Sequence, residues 1–315
     1  MPVYNAERFL EESLVSLLAQ SYTDFEIVIC DNASTDGTPA IIERFAREDS
    51  RIRPYRNRKN RGLVANFTRV FELSRGRYFR WNAYDDFCRP ALFEECVRAL
   101  EANPGAIGSF SLAHQIDGEG NVVNTQVETA LRVALCSQYP VHRMKATITR
   151  NGWSGVIHGL IRRDRLAEFM PYRDYFGADR LLITQLALRG PMIPVADGLF
   201  VQRYHDANSS RRSTRELAEL LSGRPPRGLI FPMGKAFVDY LRLFRDPSLD
   251  PIERLRLTRY LLFHGLRPDV LWNLVVPGPN NYFGLDPGRI RADQSSSARD
   301  EASASEPRKI ESVGV

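Results

Sequence analysis

Apolar and polar positions along the first hundred residues alternate between a helical and an extended pattern. Leu10, Leu14, Leu17 and Leu18 fall on one face of a helix, for which Asn5 is a plausible N-cap. Residues 25–30 form a short β-branched run that predicts a buried strand. The same alternation predicts helices from 38, 63 and 90 and strands over 51–56 and 77–81. It indicates an α/β fold, with a mainly parallel sheet and helices on both faces.

The pattern loosens after residue 105. Residues 106–116 predict a strand, 117–121 a hairpin turn and 199–202 a further strand. Residues 232–244 and 251–263 predict two amphipathic basic helices. Only three residues precede the first polar loop, so either the first strand begins upstream of this sequence or it is a stub.

Three polar clusters directly follow predicted strands. They are residues 4–7, residues 31–37 and the pair Asp85–Asp86. In open α/β sheets a ligand lies beyond the carboxyl ends of the strands, so we expect the three clusters to share one crevice.

The adjacent carboxylates Asp85 and Asp86 repel each other unless a cation lies between them. Mg²⁺ or Mn²⁺ prefers oxygen ligands together with substrate phosphates, and such an ion would stabilise a leaving diphosphate. The alternative is that the pair caps the helix that begins near Pro90, and the motif alone does not decide between the two.

Composition narrows the class of protein. The 315 residues are 43% apolar and 26% charged, which is ordinary for a globular protein. The formal net charge of +5 suits an anionic ligand or an anionic membrane surface and does not single out nucleic acid. None of the four cysteines has zinc-ligand spacing, and buried thiols in a reducing cytoplasm are expected. We see no signal peptide and no apolar run of about 18 residues.

Four segments together resemble the family 2 glycosyltransferases, which are inverting enzymes with a GT-A fold. They are Pro2-Val-Tyr-Asn-Ala-Glu7, Asp31-Asn-Ala-Ser-Thr-Asp-Gly-Thr38, Asn60-Arg-Gly62, and Asp85-Asp86 followed by Pro90. The match in order and spacing covers roughly the first 110 residues. This sequence departs from the family's fuller D-x-D-D pattern, because Ala83 stands at the first position of that pattern.

The resemblance implies roles for individual residues. Asp31 would accept the N3–H of the nucleotide base, and Pro2, Tyr4 and Glu7 would line the base and ribose pocket. Asp85 would contact the ribose and Asp86 would hold the metal, although Ala83 leaves open which of the two is the main ligand. Packing, helix-dipole and turn roles are the alternatives for Tyr4, Glu7 and Asp31.

The resemblance also implies a catalytic base late in the core. Asp179, before a leucine-rich helix, fits that position, with Asp174 as the neighbouring alternative and a helix cap as the competing role. The base would deprotonate an acceptor hydroxyl that attacks the anomeric carbon with inversion. His205 would cover the diphosphate or reach the metal, or be structural. Acceptor contacts are expected from four further residues, Trp153, His158, Arg162 and Arg163, although the arginine pair equally fits a solvated turn.

The expected organisation has four parts. Residues 1–110 form the nucleotide-sugar-binding half, 111–205 the acceptor half, 206–290 a helical extension and 291–315 a disordered tail. The donor would be a UDP-, GDP- or TDP-sugar, and the acceptor a sugar or lipid-linked molecule in cell-surface polysaccharide or glycolipid synthesis. We expect a cytoplasmic protein, with peripheral contact at the inner face of the membrane as a side hypothesis.

Two other functions compete with sugar transfer. A sugar nucleotidyltransferase would carry a glycine-rich basic loop after the first strand, and residues 4–8 contain no glycine. A non-catalytic sugar-nucleotide binder fits the shortened carboxylate motif. A glycosidase would need two carboxylates but not the nucleotide-type clusters.

Overall fold

The structure, a computed structural model, describes residues 1–125, 129–149, 154–175, 177–206, 208, 214–225, 234–246 and 249–265. Its strands are β1 Pro2–Val3, β2 Ile27–Asp31, β3 Ile52–Arg56, β4 Tyr78–Phe79, β5 Phe87–Cys88, β6 Gly108–Phe110, β7 His114–Ile116, β8 Val122–Asn124, β9 Leu160–Arg162, β10 Met192–Pro194 and β11 Phe200–Arg203. Its helices are α1 Leu10–Leu18, α2 Thr38–Glu48, α3 Leu63–Leu73, α4 Leu92–Ala102, α5 Thr129–Leu135, α6 Pro140–Thr149, α7 Ser154–Ile157, α8 Arg163–Ala167, α9 Ala178–Arg189, α10 Thr214–Ser222, α11 Gly234–Arg242 and α12 Pro251–Gly265.

The described strands pair in three groups. The first has the order β1-β2-β3 and is parallel throughout, with Val3 opposite Asp31 and Asp31 opposite Arg56. The second, β10-β6-β9-β4, contains the antiparallel strand β9, and the third is β5-β11-β7-β8. The predicted α/β class with a parallel sheet and flanking helices is confirmed, and the antiparallel pairs involve strands β5, β8 and β9.

Helices α2, α3 and α4 lie where the apolar pattern predicts them. Asn5 is not a helix cap, because α1 begins at Leu10 and its N-cap position is Phe9. Asn5 instead has a left-handed backbone with φ +48°. The predicted strand over 106–116 divides into β6 and β7, because the chain leaves the second sheet for the third, where β7 pairs with β11.

The four cysteines differ in their burial. Cys30, Cys88 and Cys96 are buried, as expected, but Cys136 is exposed. Cys30 packs in one core cluster with Trp81 and Phe110, whereas Cys88 and Cys96 pack in a second cluster under α1.

The described helices after residue 205 pack on earlier helices of the chain. α10 contacts α3, α11 contacts α9, and α12 contacts α6. At the α10–α3 contact Gly62 and Gly223 touch through their backbones, and both have positive φ angles, of +83° and +70°. Residues 266–290 and the predicted tail over 291–315 lie outside the described residues. Within the described part of the chain, no helix is both long and apolar enough to cross a bilayer.

We predict that Gly62→Ala destabilises the protein by about 1–3 kcal/mol. A Cβ at this position would lie 2.4 Å from the Gly223 nitrogen and 2.7 Å from the Leu221 carbonyl oxygen, on a backbone that L-residues rarely adopt. The measurement is urea unfolding of the two proteins.

Gly105→Ala is the matched control, because a Cβ at Gly105 would meet nothing within 4 Å. Its free energy of unfolding should stay within about 0.5 kcal/mol of the parent's. Equal stability of the two alanine variants would contradict the close approach of α10 to residue 62.

Candidate active site

The loop after β1 and the loop after β2 are joined by reciprocal hydrogen bonds. The Asn5 N–H donates to Ser34 Oγ at 2.9 Å, and the Thr35 N–H donates to Asn5 Oδ1 at 3.0 Å. The Ala6 N–H donates to Thr38 Oγ1 at 2.7 Å. Two of the three predicted polar clusters therefore form one surface at the carboxyl edge of the first sheet.

Asp31 is buried at the end of β2, and one of its two carboxylate oxygens accepts no hydrogen bond from the described residues. Its Oδ1 accepts the Ser34 N–H at 2.9 Å and the Ser34 hydroxyl at 2.5 Å. Arg56 Nε lies 3.2 Å from Oδ2, but this approach lacks hydrogen-bond geometry, and the Arg56 side chain is 54% exposed. Oδ2 has no hydrogen-bond partner among the described residues. A buried acceptor of this kind suits a ligand N–H.

The other residues predicted around the nucleotide have different environments. Pro2 is buried in β1 opposite Cys30, and Tyr4 is 38% exposed at the strand end. Glu7 is exposed and its Oε2 accepts the Gly37 N–H at 2.6 Å, so its observed role is to bridge the two loops. Contact of these side chains with a nucleotide stays a prediction.

Buried asparagines support this surface from below, and sequence reasoning missed most of them. Asn32 Nδ2 donates to Asn60 Oδ1 at 2.9 Å, and Asn57 Nδ2 donates to Asn66 Oδ1 at 3.1 Å. Asn66 Nδ2 donates to the Cys30 carbonyl at 2.8 Å. The sequence signal that could have identified this network is Asn66, which lies next to the apolar stripe of α3.

Asp85 pairs with His205, which comes from the end of β11. Asp85 Oδ2 lies 3.0 Å from His205 Nε2 and 3.5 Å from Asn208 Nδ2. The His205 ring also lies against Phe9, with 4.8 Å between ring centroids. Because Phe9 precedes α1 and follows the loop after β1, the third polar cluster adjoins the first.

Asp86 points in another direction from Asp85. It is 3% exposed, and its Oδ1 accepts the Arg203 N–H at 2.9 Å. Burial and the neighbouring Asp85 carboxylate raise the pKa of Asp86 well above its ordinary value. Its side chain is thus held by strand β11, 117 residues away in sequence.

A divalent cation at this site would take few protein ligands. Within the described residues, no group of three His, Cys, Asp or Glu side chains is placed to hold a metal ion. Asp85 Oδ2 and His205 Nε2 converge as a pair. Mg²⁺ and Mn²⁺ are commonly bound by one or two protein groups, with phosphate oxygens and water completing the shell, so the pair fits such an ion when a diphosphate is present.

Asp179 is the second residue of α9 and follows Gly177, whose φ is +78°. Its Oδ1 accepts the Arg180 N–H at 2.7 Å, and burial raises the pKa of its carboxyl. Leu182, one turn later in α9, packs in the same core cluster as Trp81. Trp81 precedes Asp85 by four residues. No hydrogen bond among the described residues joins Asp179 to the Asp85–His205 pair.

Three residues predicted to contact the acceptor make hydrogen bonds within the fold, and their contact with an acceptor stays a prediction. Arg162 donates to the Leu100 and Ala106 carbonyls, each at 2.7 Å, at the end of α4. Arg163 donates to the Phe71 carbonyl and to Ser74 Oγ at the end of α3. Both arginines thus donate to carbonyls at or just beyond a helix end.

The His158 ring is 3.0 Å from the Trp81 carbonyl oxygen through Nδ1, and burial lowers its pKa to about 4. A neutral ring that donates to this carbonyl holds the segment that follows β4. The fourth predicted contact, Trp153, lies outside the described residues.

Comparison with known sequences points to one family. A family model described as "Glycosyl transferase family 2" matches residues 1–176. The putative glycosyltransferase EpsE of Bacillus subtilis is 39% identical over 102 residues, which are 32% of this chain and 37% of that protein. Chondroitin synthase of Escherichia coli is 25% identical over 183 residues, which are 55% of this chain and 26% of that protein. The chain thus spans well under half of the length of these relatives.

Solved structures show the same fold at low sequence identity. Residues 1–349 of TarS from S. aureus, in complex with UDP-GlcNAc, match with a TM-score of 0.58 at 16% identity, covering 83% of this chain and 70% of that chain. The mannosyltransferase PcManGT from Pyrobaculum calidifontis, with GDP-Man and Mn²⁺, matches with a TM-score of 0.58 at 18% identity, covering 95% of this chain and 79% of that chain. The fold is therefore GT-A-like.

Proposed function

The chain belongs to glycosyl transferase family 2, and we propose that it transfers a sugar from a nucleoside-diphosphate sugar to an acceptor hydroxyl with inversion. The observation that carries the proposal is the arrangement of carboxylates beyond the strand ends. Asp31 Oδ2 is buried and accepts no hydrogen bond from the described residues, Asp85 pairs with His205, and α1 and its preceding loop connect the two. Neighbours in fold that hold UDP-GlcNAc or GDP-Man with Mn²⁺ support the same class of donor.

The nucleotide base would lie against Asp31. Oδ1 already accepts two hydrogen bonds from Ser34, so Oδ2, which has only an ion pair with Arg56, would accept the ring N–H from the Watson–Crick edge of the base. Uracil, thymine and guanine present a ring N–H there, whereas cytosine and adenine present a lone pair. A buried carboxylate repels a lone pair, so the site would discriminate between the two groups of bases.

Asp85 and His205 would hold the metal ion, with Asp86 as a structural partner of β11. This assignment follows from the contacts, because Asp86 Oδ1 is occupied by the Arg203 N–H whereas Asp85 Oδ2 faces His205. A bound Mg²⁺ or Mn²⁺ would neutralise charge on the leaving nucleoside diphosphate. Asp85, rather than the Asp86 of the sequence prediction, is therefore the proposed main ligand.

Asp179 would act as the general base. Its position in the first turn of α9, one turn before Leu182, which packs in the core cluster of Trp81, supports this proposal. The carboxylate would take the proton of the acceptor hydroxyl as that oxygen attacks the anomeric carbon opposite the diphosphate. Positioning of the two substrates would contribute most of the remaining acceleration.

A role in assembling a cell-surface polysaccharide or glycolipid is the proposed context. Relatives named as a teichuronic acid biosynthesis glycosyltransferase and a chondroitin synthase support it. A non-catalytic sugar-nucleotide binder is the alternative, and only turnover separates it from an enzyme.

We predict that the protein binds UDP, TDP or GDP at least about tenfold more tightly than CDP or ADP, and that Asp31→Asn removes this preference. A hydrogen bond to a charged acceptor contributes about 1.5–3 kcal/mol, or roughly 10–100-fold in affinity. The amide N–H that this substitution introduces can face the N3 lone pair of cytosine. Isothermal titration of the five diphosphates against both proteins measures the effect.

Asp49→Asn is the control, since Asp49 also pairs with an arginine, Arg51, but precedes β3 at the opposite edge of the sheet. Its nucleotide affinities should equal those of the parent protein. Equal binding of UDP and CDP by the parent protein would refute the assignment of Asp31.

We predict that Asp179→Asn lowers kcat by about 10²–10⁴-fold while the dissociation constant of the donor stays within about threefold. Asp174→Asn should retain turnover, because Asp174 lies in the exposed segment before α9. Because the pKa of Asp179 is raised, the parent's kcat should fall as the pH decreases. The fall should begin at a pH above the ordinary pKa range of an aspartate. Release of nucleoside diphosphate from a labelled donor is the measurement. Unaltered kcat in Asp179→Asn would refute its role as the base, whereas a parent protein that binds the donor without turnover would favour the non-catalytic binder.

We also propose that α12 contacts an anionic lipid surface, near a lipid-linked acceptor. Its outer face exposes large apolar side chains: Ile252 at 63%, Leu255 at 71%, Leu262 at 55% and Phe263 at 74%. Arg256 and Arg259 are exposed beside them, whereas Glu253, the helix's one carboxylate, is buried. An exposed apolar face flanked by arginines is complementary to anionic lipid headgroups.

We predict that the protein co-sediments at low salt with vesicles containing phosphatidylglycerol but not with pure phosphatidylcholine vesicles. Replacing Leu255 and Phe263 with serine should lower the partition coefficient at least about tenfold, because each loses buried apolar area. Val133→Ser, on α5 and 70% exposed, is the control and should leave partition unchanged. Failure of the parent protein to sediment with the anionic vesicles would exclude the lipid contact.

A further inference from the structure

Arg203, the last residue of β11, is a charged side chain buried against the carboxylate loop. It is 4% exposed and lies two residues before His205. Its guanidinium Nε donates to the Asp85 carbonyl at 3.1 Å, and Nη2 donates to Glu12 Oε2 at 2.5 Å. The same residue's backbone N–H donates to Asp86 Oδ1. One residue therefore contacts both members of the carboxylate pair and the first turn of α1.

The surroundings fix the orientation of this guanidinium. It lies over the Phe9 ring, 4.7 Å from the centroid, and the same ring contacts His205. Phe9 and Glu12 are three residues apart, so both lie on the side of α1 that faces β11. The side chain is thereby turned into the protein, where it cannot cover a diphosphate from outside.

We propose that Arg203 is a positioning residue that fixes Asp85 relative to His205 and thereby sets the affinity of the metal–nucleotide complex. This inference rests on the proposed function. The carbonyl of Asp85 is anchored by Nε, so the direction of the Asp85 side chain toward His205 depends on the arginine. Residues that orient a metal ligand without touching the metal commonly change affinity or activity by about 10–100-fold when removed.

The ion pair between Glu12 and Arg203 chiefly orients the guanidinium. Glu12 is 56% exposed, so its attraction for Arg203 is screened by water and contributes little stability. A planar guanidinium can reach Glu12 and the Asp85 carbonyl at once, whereas a lysine ammonium has no such fork. Arg203→Lys is therefore a conservative variant that keeps the charge and loses half of the contact.

The test compares Arg203→Ala, Arg203→Lys and Arg132→Ala in the full chain. Arg132 is the matched control, because its guanidinium also contacts one carboxylate, Asp197, and one carbonyl, that of Val195. The first readout needs no ligand: it is amide hydrogen exchange over residues 83–88. Loss of the anchor should accelerate exchange there about tenfold in Arg203→Ala, as expected for one lost hydrogen bond, and leave it unchanged in Arg132→Ala.

The second readout is the affinity for Mn²⁺ with UDP, measured by Mn²⁺ electron paramagnetic resonance. Arg203→Ala should weaken Mn²⁺ binding about 10–100-fold, Arg203→Lys should lie between it and the parent, and Arg132→Ala should match the parent. Unchanged exchange over 83–88 in Arg203→Ala overturns the inference whatever the protein's activity. Faster exchange with unchanged Mn²⁺ affinity also overturns it, whereas a parent protein that binds no Mn²⁺–nucleotide complex overturns the proposed function as well.

Discussion

The site depends on keeping two carboxylates buried at the carboxyl ends of strands. Asp31 and Asp86 are each almost completely removed from water, and an ionised carboxylate in that position is strongly unfavourable unless hydrogen bonds replace its hydration. The chain satisfies the first locally, through the backbone and hydroxyl of Ser34 three residues later. It satisfies the second over a long distance, through the backbone of Arg203. The hydrogen bonds of Asp31 to Ser34 and of Asp86 to Arg203 fix the loops at these strand ends.

The two halves of the fold consequently contribute different parts of the site. The first sheet is parallel and continuous in sequence, so the loops after β1 and β2 meet simply because their strands are neighbours. The carboxylate pair instead requires β11, which runs antiparallel to β5 and places Arg203 and His205 beside Asp86 and Asp85. Helix α1 joins the two parts, since Phe9 contacts His205 and Ser13 Oγ donates to the Ala83 carbonyl.

This division explains how much could be predicted from the sequence. The elements of the first hundred residues and the adjacency of the polar clusters follow from local periodicity and from the geometry of parallel strands. The asparagines beneath Asp31 and the contact of Arg203 with Asp85 could not be predicted, because they join residues up to 118 positions apart. The hydrogen bonds of Arg162 and Arg163 to carbonyls at helix ends could not be predicted either, because they also join residues distant in sequence. The roles of Asp31, Asp85, His205 and Asp179 toward substrates remain predictions.

The central claim is that nucleotide and metal share one crevice, and thermodynamic linkage between the two ligands tests it most directly. The measurement is isothermal titration of a panel of UDP-, TDP- and GDP-sugars into the parent protein, once with saturating Mn²⁺ and once with a chelator, and then into Asp85→Asn. The account predicts that at least one donor binds, that Mn²⁺ tightens its binding at least about tenfold, and that this factor disappears in Asp85→Asn. Donor binding that is equally tight with Mn²⁺ and with chelator, or a metal effect that survives in Asp85→Asn, would contradict it.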